Sequence, residues 1–379
     1  MYDVFDYGRM AEDEARVSAY LAALASVITP DSVVLDLGTG IGLFAIAAAQ
    51  LGARHVYAVD LTDAVLLGPE LARAAGVAER VTFLHGSAWD MALPEKVDVL
   101  FYDLRGASPL FADNFRLVAA VSDRWLKVGG VHFPAKDRLF AALVRAPGAR
   151  ASLDGVCAAV ERMGIPSGPM RASLINKPMV DTLAPLAADD VLTASFRVAE
   201  LVYGEPPPRG VSGTGALAVE RAGIADGVAL WFETELTSSV RYDTAPGKKR
   251  VHPRMILPLA SPLSLTPGDE VSLALSAITD GGEWAWSASV RRSDGTSVAG
   301  ARQSTFLGRP TSIAALLAGA PTSTPTLNAA GRELVERLSA FDGTTTLEAL
   351  ARRLARTGSE DASAQTMVML RDLAAKYAR

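Results

Sequence analysis

Between residues 32 and 133 the apolar positions fall in short continuous runs, each closed by a polar or glycine-rich turn and followed by a stretch of helical period. "SVVLDLG" (32–38) reads as a buried strand and "IGLFAIAAAQLGA" as the helix behind it. "HVYAVD" (55–60) is a second strand, "LLGPELARAAGV" a second helix, "RVTFLHG" (80–86) a third strand and "VDVLFYD" (97–103) a fourth. "LVAAVSDRWLKVGGVHFP" predicts a helix, a Gly-Gly turn and a fifth strand. Strands alternating with helices at this rhythm make a parallel, doubly wound, Rossmann-like sheet. Residues 9–28 carry apolar positions at helical spacing behind an acidic turn, which predicts one or two helices ahead of the first strand.

After about residue 148 the period changes. "SFRVAELVY", "GTGALAVERAG", "GVALWFETEL", "RMILPL", "SLALSAI" and "EWAWSASVRR" are short β-rich runs divided by Gly, Pro, Asn and Asp, the pattern of an antiparallel barrel or sandwich. Residues 163–195 interrupt it as an irregular, partly helical insertion. "GAPTSTPT" (319–326) is a linker, and amphipathic helices follow around the turn "FDGTT". The expected organisation is α/β plus all-β: helices over 1–32, a Rossmann-like domain over 33–147, a β-barrel domain over 148–312 and a helical domain over 327–379.

Composition narrows the function. A chain of 379 residues suits two or three cores, and 49% hydrophobic with 21% charged residues is the balance of a soluble globular protein. A net charge of −5 without a Lys/Arg run gives no field for nucleic acid. No apolar stretch reaches bilayer length and the acidic start is no signal peptide, so no membrane partner and a cytoplasmic location are expected. Cys157, the single cysteine, excludes an internal disulfide and fits a reducing compartment. Four scattered histidines, without C-x-x-C or H-E-x-x-H, give no basis for a metal site.

The strongest chemical signal is "VVLDLGTGIG": Asp36 at a strand end, then Gly38, Gly40 and Gly42. The glycines let backbone approach a ligand at a helix N-terminus. A dinucleotide turn would read G-x-G-x-x-G, whereas here the spacing is G-x-G-x-G behind an acid, and Asp60 ends the next strand. A carboxylate at Asp60 can accept ribose hydroxyls, and an acid at Asp36 suits a ligand with an amine and a sulfonium. These point to S-adenosylmethionine, with an NAD-type site and a glycine turn kept only for packing as the competing readings.

The stretch "VVLDLGTGIGLFAIAAAQLGARHVYAVD" is similar to the cofactor motif of class I methyltransferases, and its surroundings resemble the protein arginine methyltransferases. "FDYGRMAEDEARVSAY" resembles that family's N-terminal helix; the resemblance implies that Tyr7 closes over the cofactor and Arg16 grips its carboxylate. It also implies that Leu61 follows the ribose-binding acid and that Ser87, Ala88 and Trp89 of "HGSAWD" line the adenine. "DRWLKVGGVHFPAKDRLFAALV" runs parallel to the fifth-strand region, the β-rich half resembles the family's barrel, and 163–195 resembles its dimerisation arm, implying a homodimer.

In that family the fourth strand leads into a loop whose two glutamates clamp a guanidinium. "YDLRGASPLFADN" supplies Asp103 at the first place, while the second falls at Ala112 with Asp113 beside it, and Arg105 stands between. The threonine-histidine-tryptophan segment becomes "RVHPRM", with His252 at or next to the expected place. Asp103 is expected to orient or deprotonate an acceptor nitrogen, Arg105 to pair with a substrate carboxylate or carbonyl, and His252 to serve as a base; otherwise Asp103 and Arg105 pair with each other and shape the loop. Trp284, Trp286 and Cys157 read as packing. "TLNAAGRELVERLSAFDGTTTLEALARRLA" is similar to the helical part of PqqD-like modules, which implies a leader peptide as a partner. The expected activity is S-adenosylmethionine-dependent N-methylation of a peptide or peptide-derived natural product. Protein arginine methylation using Asp113, and a catalytically silent binding partner, are the alternatives.

Overall fold

The computed structural model describes residues 4–110, 114–205, 208–279, 282–318, 322–324, 326–354 and 360–377. The chain divides into two compact units, Met1–Pro310 and Thr311–Arg379. In the first, α1 (Val4–Ala11) and α2 (Glu14–Val27) precede the sheet. Asp13 caps α2 by accepting the Arg16 N–H at 3.2 Å, a side-chain acceptor for one of the amides a helix start leaves unpaired. There follow β1 (Val33–Leu37), α3 (Leu43–Gln50), β2 (His55–Asp60), α4 (Gly68–Ala74), β3 (Val81–His85), β4 (Val97–Tyr102), α5 (Asn114–Trp125) and β5 (Leu126–Phe133).

These strands form one parallel sheet in the order β3-β2-β1-β4-β5. Every residue of β1 is buried, with Val33, Leu35 and Leu37 in one core and Val34 in the core on the other face. The chain reverses direction across the sheet between β1 and β4. Such a switch point opens a crevice at the carboxyl ends of the two strands, and the chain places Gly38 and Asp103 there. One expected turn is absent: α5 runs directly into β5, and Gly129 and Gly130 lie within the strand. Gly129 takes φ 78° and the pairing with β4 shifts between Val97 and Val99, so the glycines make an irregular edge strand.

The second half of this unit begins with β6 (Lys136–Val144), α6 (Pro147–Glu161), α7 (Gly168–Leu174) and β7 (Met179–Val180). It continues with β8 (Phe196–Val202), β9 (Gly210–Ala218), β10 (Gly223–Glu235), β11 (Arg241–Asp243) and β12 (Met255–Leu265). It closes with β13 (Glu270–Ile278), β14 (Glu283–Arg291), β15 (Ser297–Ala299) and β16 (Gln303–Ser304). One antiparallel sheet runs β7-β12-β10-β6-β8 with β11 on β10, and the other β15-β14-β13-β9 with β16 on β14. Their inner faces fill a shared core in which Trp284 and Trp286 are buried, as alternation along β14 requires. Cys157, on α6, is buried in a small cluster with Met170 and Leu174 of α7.

The second unit holds α8 (Ile313–Ala318), α9 (Ala329–Ser339), α10 (Leu347–Leu354) and α11 (Glu360–Tyr377), with a small core of Ala340 just after α9, Leu350 and Ala351 of α10 and Leu370 of α11. Asn328 caps α9, and Asp342 closes the turn before α10 by accepting from Thr344 and Thr345. Among the described residues no helix is long and apolar enough to cross a membrane.

Candidate functional site

Two loops line the crevice. The first is the glycine turn, where Gly38, Gly40 and Gly42 take φ 78°, 58° and 88°, a region open to glycine at little strain. Gly38 and Thr39 donate their N–H groups to Val59 O at 2.9 and 3.0 Å, which holds the turn against β2. Asp36 is buried beneath it and accepts the Thr39 hydroxyl at 2.6 Å. Burial pushes its carboxyl up to about 7, the Thr39 bond opposes the rise, and the nearby Asp60 charge adds to it.

Asp60 fastens the turn rather than standing open. Its Oδ2 accepts the Gly40 N–H at 2.7 Å, and its Oδ1 accepts the Thr62 N–H at 2.8 Å and hydroxyl at 2.7 Å. Tyr7 lies over the turn, so that a Cβ at Gly40 would overlap its ring, and its hydroxyl stands 3.5 Å from Thr62 Oγ1. Gly86 donates to Asp60 O at 2.9 Å and thereby brings the loop of half-buried Ser87 and Ala88 and exposed Trp89 alongside. Leu61 is exposed next to Asp60.

The second loop begins at Asp103. Leu104 packs on Gly38, where a Cβ would collide with it, so the two loops touch. Asp103 is buried and collects three nitrogen partners: Arg16 Nε at 2.5 Å, Arg105 Nη2 at 2.8 Å and His252 Nε2 at 3.2 Å. Burial would raise its carboxyl, but His252, Arg105 and Arg16 together hold it well below the usual carboxylate range. Arg16, expected on a cofactor carboxylate, spends Nε on Asp103 and donates Nη1 to Met10 O at 3.2 Å, while Nη2 has no partner among the described residues.

Arg105 departs from expectation. Its side chain is 2% exposed, and its donors are taken up inside the protein, so no N–H remains for a substrate carboxylate. Nε and Nη2 bond Asp103 at 3.1 and 2.8 Å, and Nη2 also bonds the Tyr20 and Tyr242 hydroxyls at 2.7 and 2.6 Å. Nη1 bonds Asp137 at 3.0 Å and the Thr234 hydroxyl. Phe232 covers one face of the guanidinium, whose carbon lies 5.3 Å from the ring centroid. Burial by itself would lower the Arg105 pKa; Tyr20, Tyr242, Asp137 and Asp103 reverse this and hold it well above the ordinary value.

The sequence reading did not single out Tyr20, Asp137, Thr234 or Tyr242. The signal was the alternation. Asp137 shares a face of β6 with Leu139, Ala141 and Leu143, and Thr234 shares a face of β10 with Phe232 and Leu230, all buried. An acid at an inward strand position has to be paired. Asp137 is paired, accepting from Tyr203 at 2.6 Å, Thr234 at 2.6 Å and Arg105. Ala112 and Asp113, expected where the second acid falls, lie outside the described residues.

The loop bearing His252 is fixed from two sides. Val251 N–H donates to Asp13 at 2.9 Å, and the buried Arg254 pairs with Asp181 at 3.4 Å while donating to Thr244 O at 2.8 Å.

Comparison with known proteins agrees with this geometry. A family profile described as "Ribosomal protein L11 methyltransferase (PrmA)" matches residues 17–103, which include the glycine turn and end at Asp103. The structure of Arabidopsis thaliana protein arginine methyltransferase 10 superposes with a TM-score of 0.67 over 80% of this chain and 97% of that one, at 22% identity. The Trypanosoma brucei PRMT1 enzyme-prozyme complex with AdoHcy gives 0.68 over 79% and 96%, at 20% identity. The fold is that of the arginine methyltransferases. In sequence, protein arginine N-methyltransferase PRMT10 of Oryza sativa subsp. japonica is 43% identical over 135 residues, 35% of this chain and 36% of that protein. The chain thus spans 36% of the length of that relative. Protein arginine N-methyltransferase 6 of Xenopus tropicalis is 27% identical over 261 residues, 66% of this chain and 76% of it.

Proposed function

We propose that the protein is an S-adenosylmethionine-dependent methyltransferase with an arginine-methyltransferase scaffold and an altered acceptor site. One observation carries this reading: a left-handed glycine turn over a buried acid that ionises near neutrality, at the switch point of a parallel sheet. An acid poised near its ionisation suits a ligand that brings its own positive charge. Gly38, Gly40 and Gly42 admit the ligand to the backbone, Asp36 supplies the acid for its cation, and Asp60, held at the turn by the Gly40 N–H, is the acid for a ribose hydroxyl. Tyr7 covers the turn, Leu61, Ser87, Ala88 and Trp89 border it, and Arg16 Nη2, without a partner among the described residues, is the donor for a carboxylate.

When bound, the cofactor supplies an electrophilic methyl group on a sulfonium. The protein's part is to hold the acceptor in line and to take up its proton. In the neutral ring, with the tautomer assigned from geometry, His252 donates Nε2–H to Asp103 and presents Nδ1 as the base. Asp103 then acts as a positioning residue, since its oxygens are occupied by Arg16, Arg105 and His252. The acceptor in this reading is a nitrogen of a peptide or peptide-derived product in the cytoplasm, with the C-terminal helices binding its leader and residues 163–195 joining two copies. The relatives' names favour a second reading, protein arginine N-methylation.

Calorimetry tests the core of the proposal. The protein is expected to bind S-adenosylmethionine and its demethylated product, with no competition from NAD. Absence of binding by the wild type sinks it. A methyl-transfer assay pairing genome-neighbouring short peptides with arginine-rich peptides then separates the two acceptor readings.

A further inference from the structure

The crevice contains a completed receptor for a guanidinium, and its occupant is covalently part of the chain. Two carboxylates, Asp103 and Asp137, bracket the Arg105 head group, three hydroxyls from Thr234, Tyr20 and Tyr242 complete its donor shell, and the Phe232 ring closes one face. Asp137 is 0% exposed, so no solvent shares its charge. The walls come from α2, β6, β10 and β11, while Arg105 enters from the loop that packs on the glycine turn.

We propose that Arg105 is the specificity-determining residue of this site: it fills a guanidinium cage with its own side chain, so the methyl acceptor is a group without positive charge. The inference rests on the methyltransferase reading for the word acceptor, but the cage is a property of the fold.

Charge decides the matter. Arg16 and Arg105 bring two positive charges to the cluster, and Asp103 and Asp137 two negative ones, so the arginines and the acids already balance one another. A guanidinium or ammonium arriving beside it would find both acids committed to short ion pairs and would add an unpaired buried cation, which is strongly unfavourable. A neutral amide, amine or imidazole nitrogen meets no such opposition. Pairing within Asp103–Arg105 alone would need only one acid; the second acid, three hydroxyls and aromatic lid are the recognition chemistry of a planar cation.

The test is chemical rescue. Arg105→Ala empties the cage and leaves Asp137 without its cation. Methylguanidinium chloride is titrated into wild type and variant, with tetramethylammonium chloride at equal concentration as the control for ionic strength. The expected result is binding of methylguanidinium by the variant alone, with recovery of melting temperature that tetramethylammonium does not reproduce. Adding Asp137→Asn to the variant is expected to weaken the rescue by removing one wall charge.

If Arg105→Ala does not fold by itself, refolding it with and without methylguanidinium gives the decision. Recovery of the fold supports the cage, and no recovery overturns it. A folded variant indifferent to methylguanidinium makes Arg105 a structural tie only, and methyl transfer by the wild type to arginine peptides overturns the acceptor class. S-adenosylmethionine binding by the wild type, measured in parallel, reports on the methyltransferase reading separately.

Discussion

Arg16 and Asp103 form a 2.5 Å ion pair between α2 and the tip of β4, and both side chains are about nine-tenths buried. The pair ties the helix that precedes the sheet to the loop that follows its switch point. Asp13, one turn earlier, accepts from Val251 at 2.9 Å and draws in the barrel loop that carries His252. Three chain segments far apart in sequence therefore converge on one carboxylate.

Asp103→Asn removes the charge facing Arg16, Arg105 and His252 together. Breaking a buried pair by deleting one partner costs about 3–5 kcal/mol, because the other charge remains in place. Equilibrium denaturation is expected to show a loss of that order, accompanied by loss of methyl transfer. A variant of unchanged stability would mean that water reaches the cluster and screens it.

Asp36 and Asp103 impose opposite pH dependences. The folded Asp36 carboxyl keeps its proton up to about 7, while the unfolded chain releases it near ~3.9, so its contribution to stability is present below that value and lost as the pH rises through 7. Asp103 is depressed, so its contribution is present above ~4 and lost as the pH falls below. Binding of a cationic ligand draws the Asp36 proton off, so S-adenosylmethionine affinity is expected to rise toward pH 7 and then level. Asp36→Asn is expected to bind more weakly and with a flat profile between about pH 5 and 8.5. The same slope in the variant would assign the titration to another group.

Much of this was legible in the pattern of the chain, for a physical reason. Parallel strands buried on both faces read as continuous apolar runs, and "SVVLDLG" and "VDVLFYD" are such runs, each cut to strand length by a polar or glycine turn. The glycine turn was legible because left-handed backbone restricts residue type. The Arg105 cage was not, since Tyr20, Asp137, Thr234 and Tyr242 reach it from positions up to 137 residues away from Arg105, and only three-dimensional closure joins them. A charged pair two residues apart is compatible with substrate binding or with burial; the acid hidden in the inward register of β6 decided for burial.

Gly40 has two reasons to remain glycine, and they can be separated. Its φ of 58° strains any L side chain, by about 1–2 kcal/mol, and a Cβ there would also strike the Tyr7 ring. Gly40→Ala is expected to lower stability by more than the strain and to weaken cofactor binding. Combined with Tyr7→Ala, the steric part disappears and the two changes are expected to be non-additive in a double-mutant cycle. Strict additivity would show that Tyr7 moves aside freely and does not cover the turn.

The insertion at 163–195 gives the last prediction. Met163, Ile165 and Leu183 are exposed within it, Leu183 fully, although apolar side chains of this size gain about 1.5–3 kcal/mol from burial. Buried Asp181 anchors the segment from behind through Arg254 and the Leu186 N–H at 3.0 Å, so Leu183 stands outward on a fixed base. A second copy of the chain would cover these positions twice over by two-fold symmetry, so that each lost contact is counted on both protomers. Sedimentation is expected to show a wild-type dimer and a Leu183→Glu monomer with the same melting temperature in its cofactor-free form. A wild type that sediments as a monomer at micromolar concentration removes the dimer, and a Leu183→Glu dimer moves the interface off this segment.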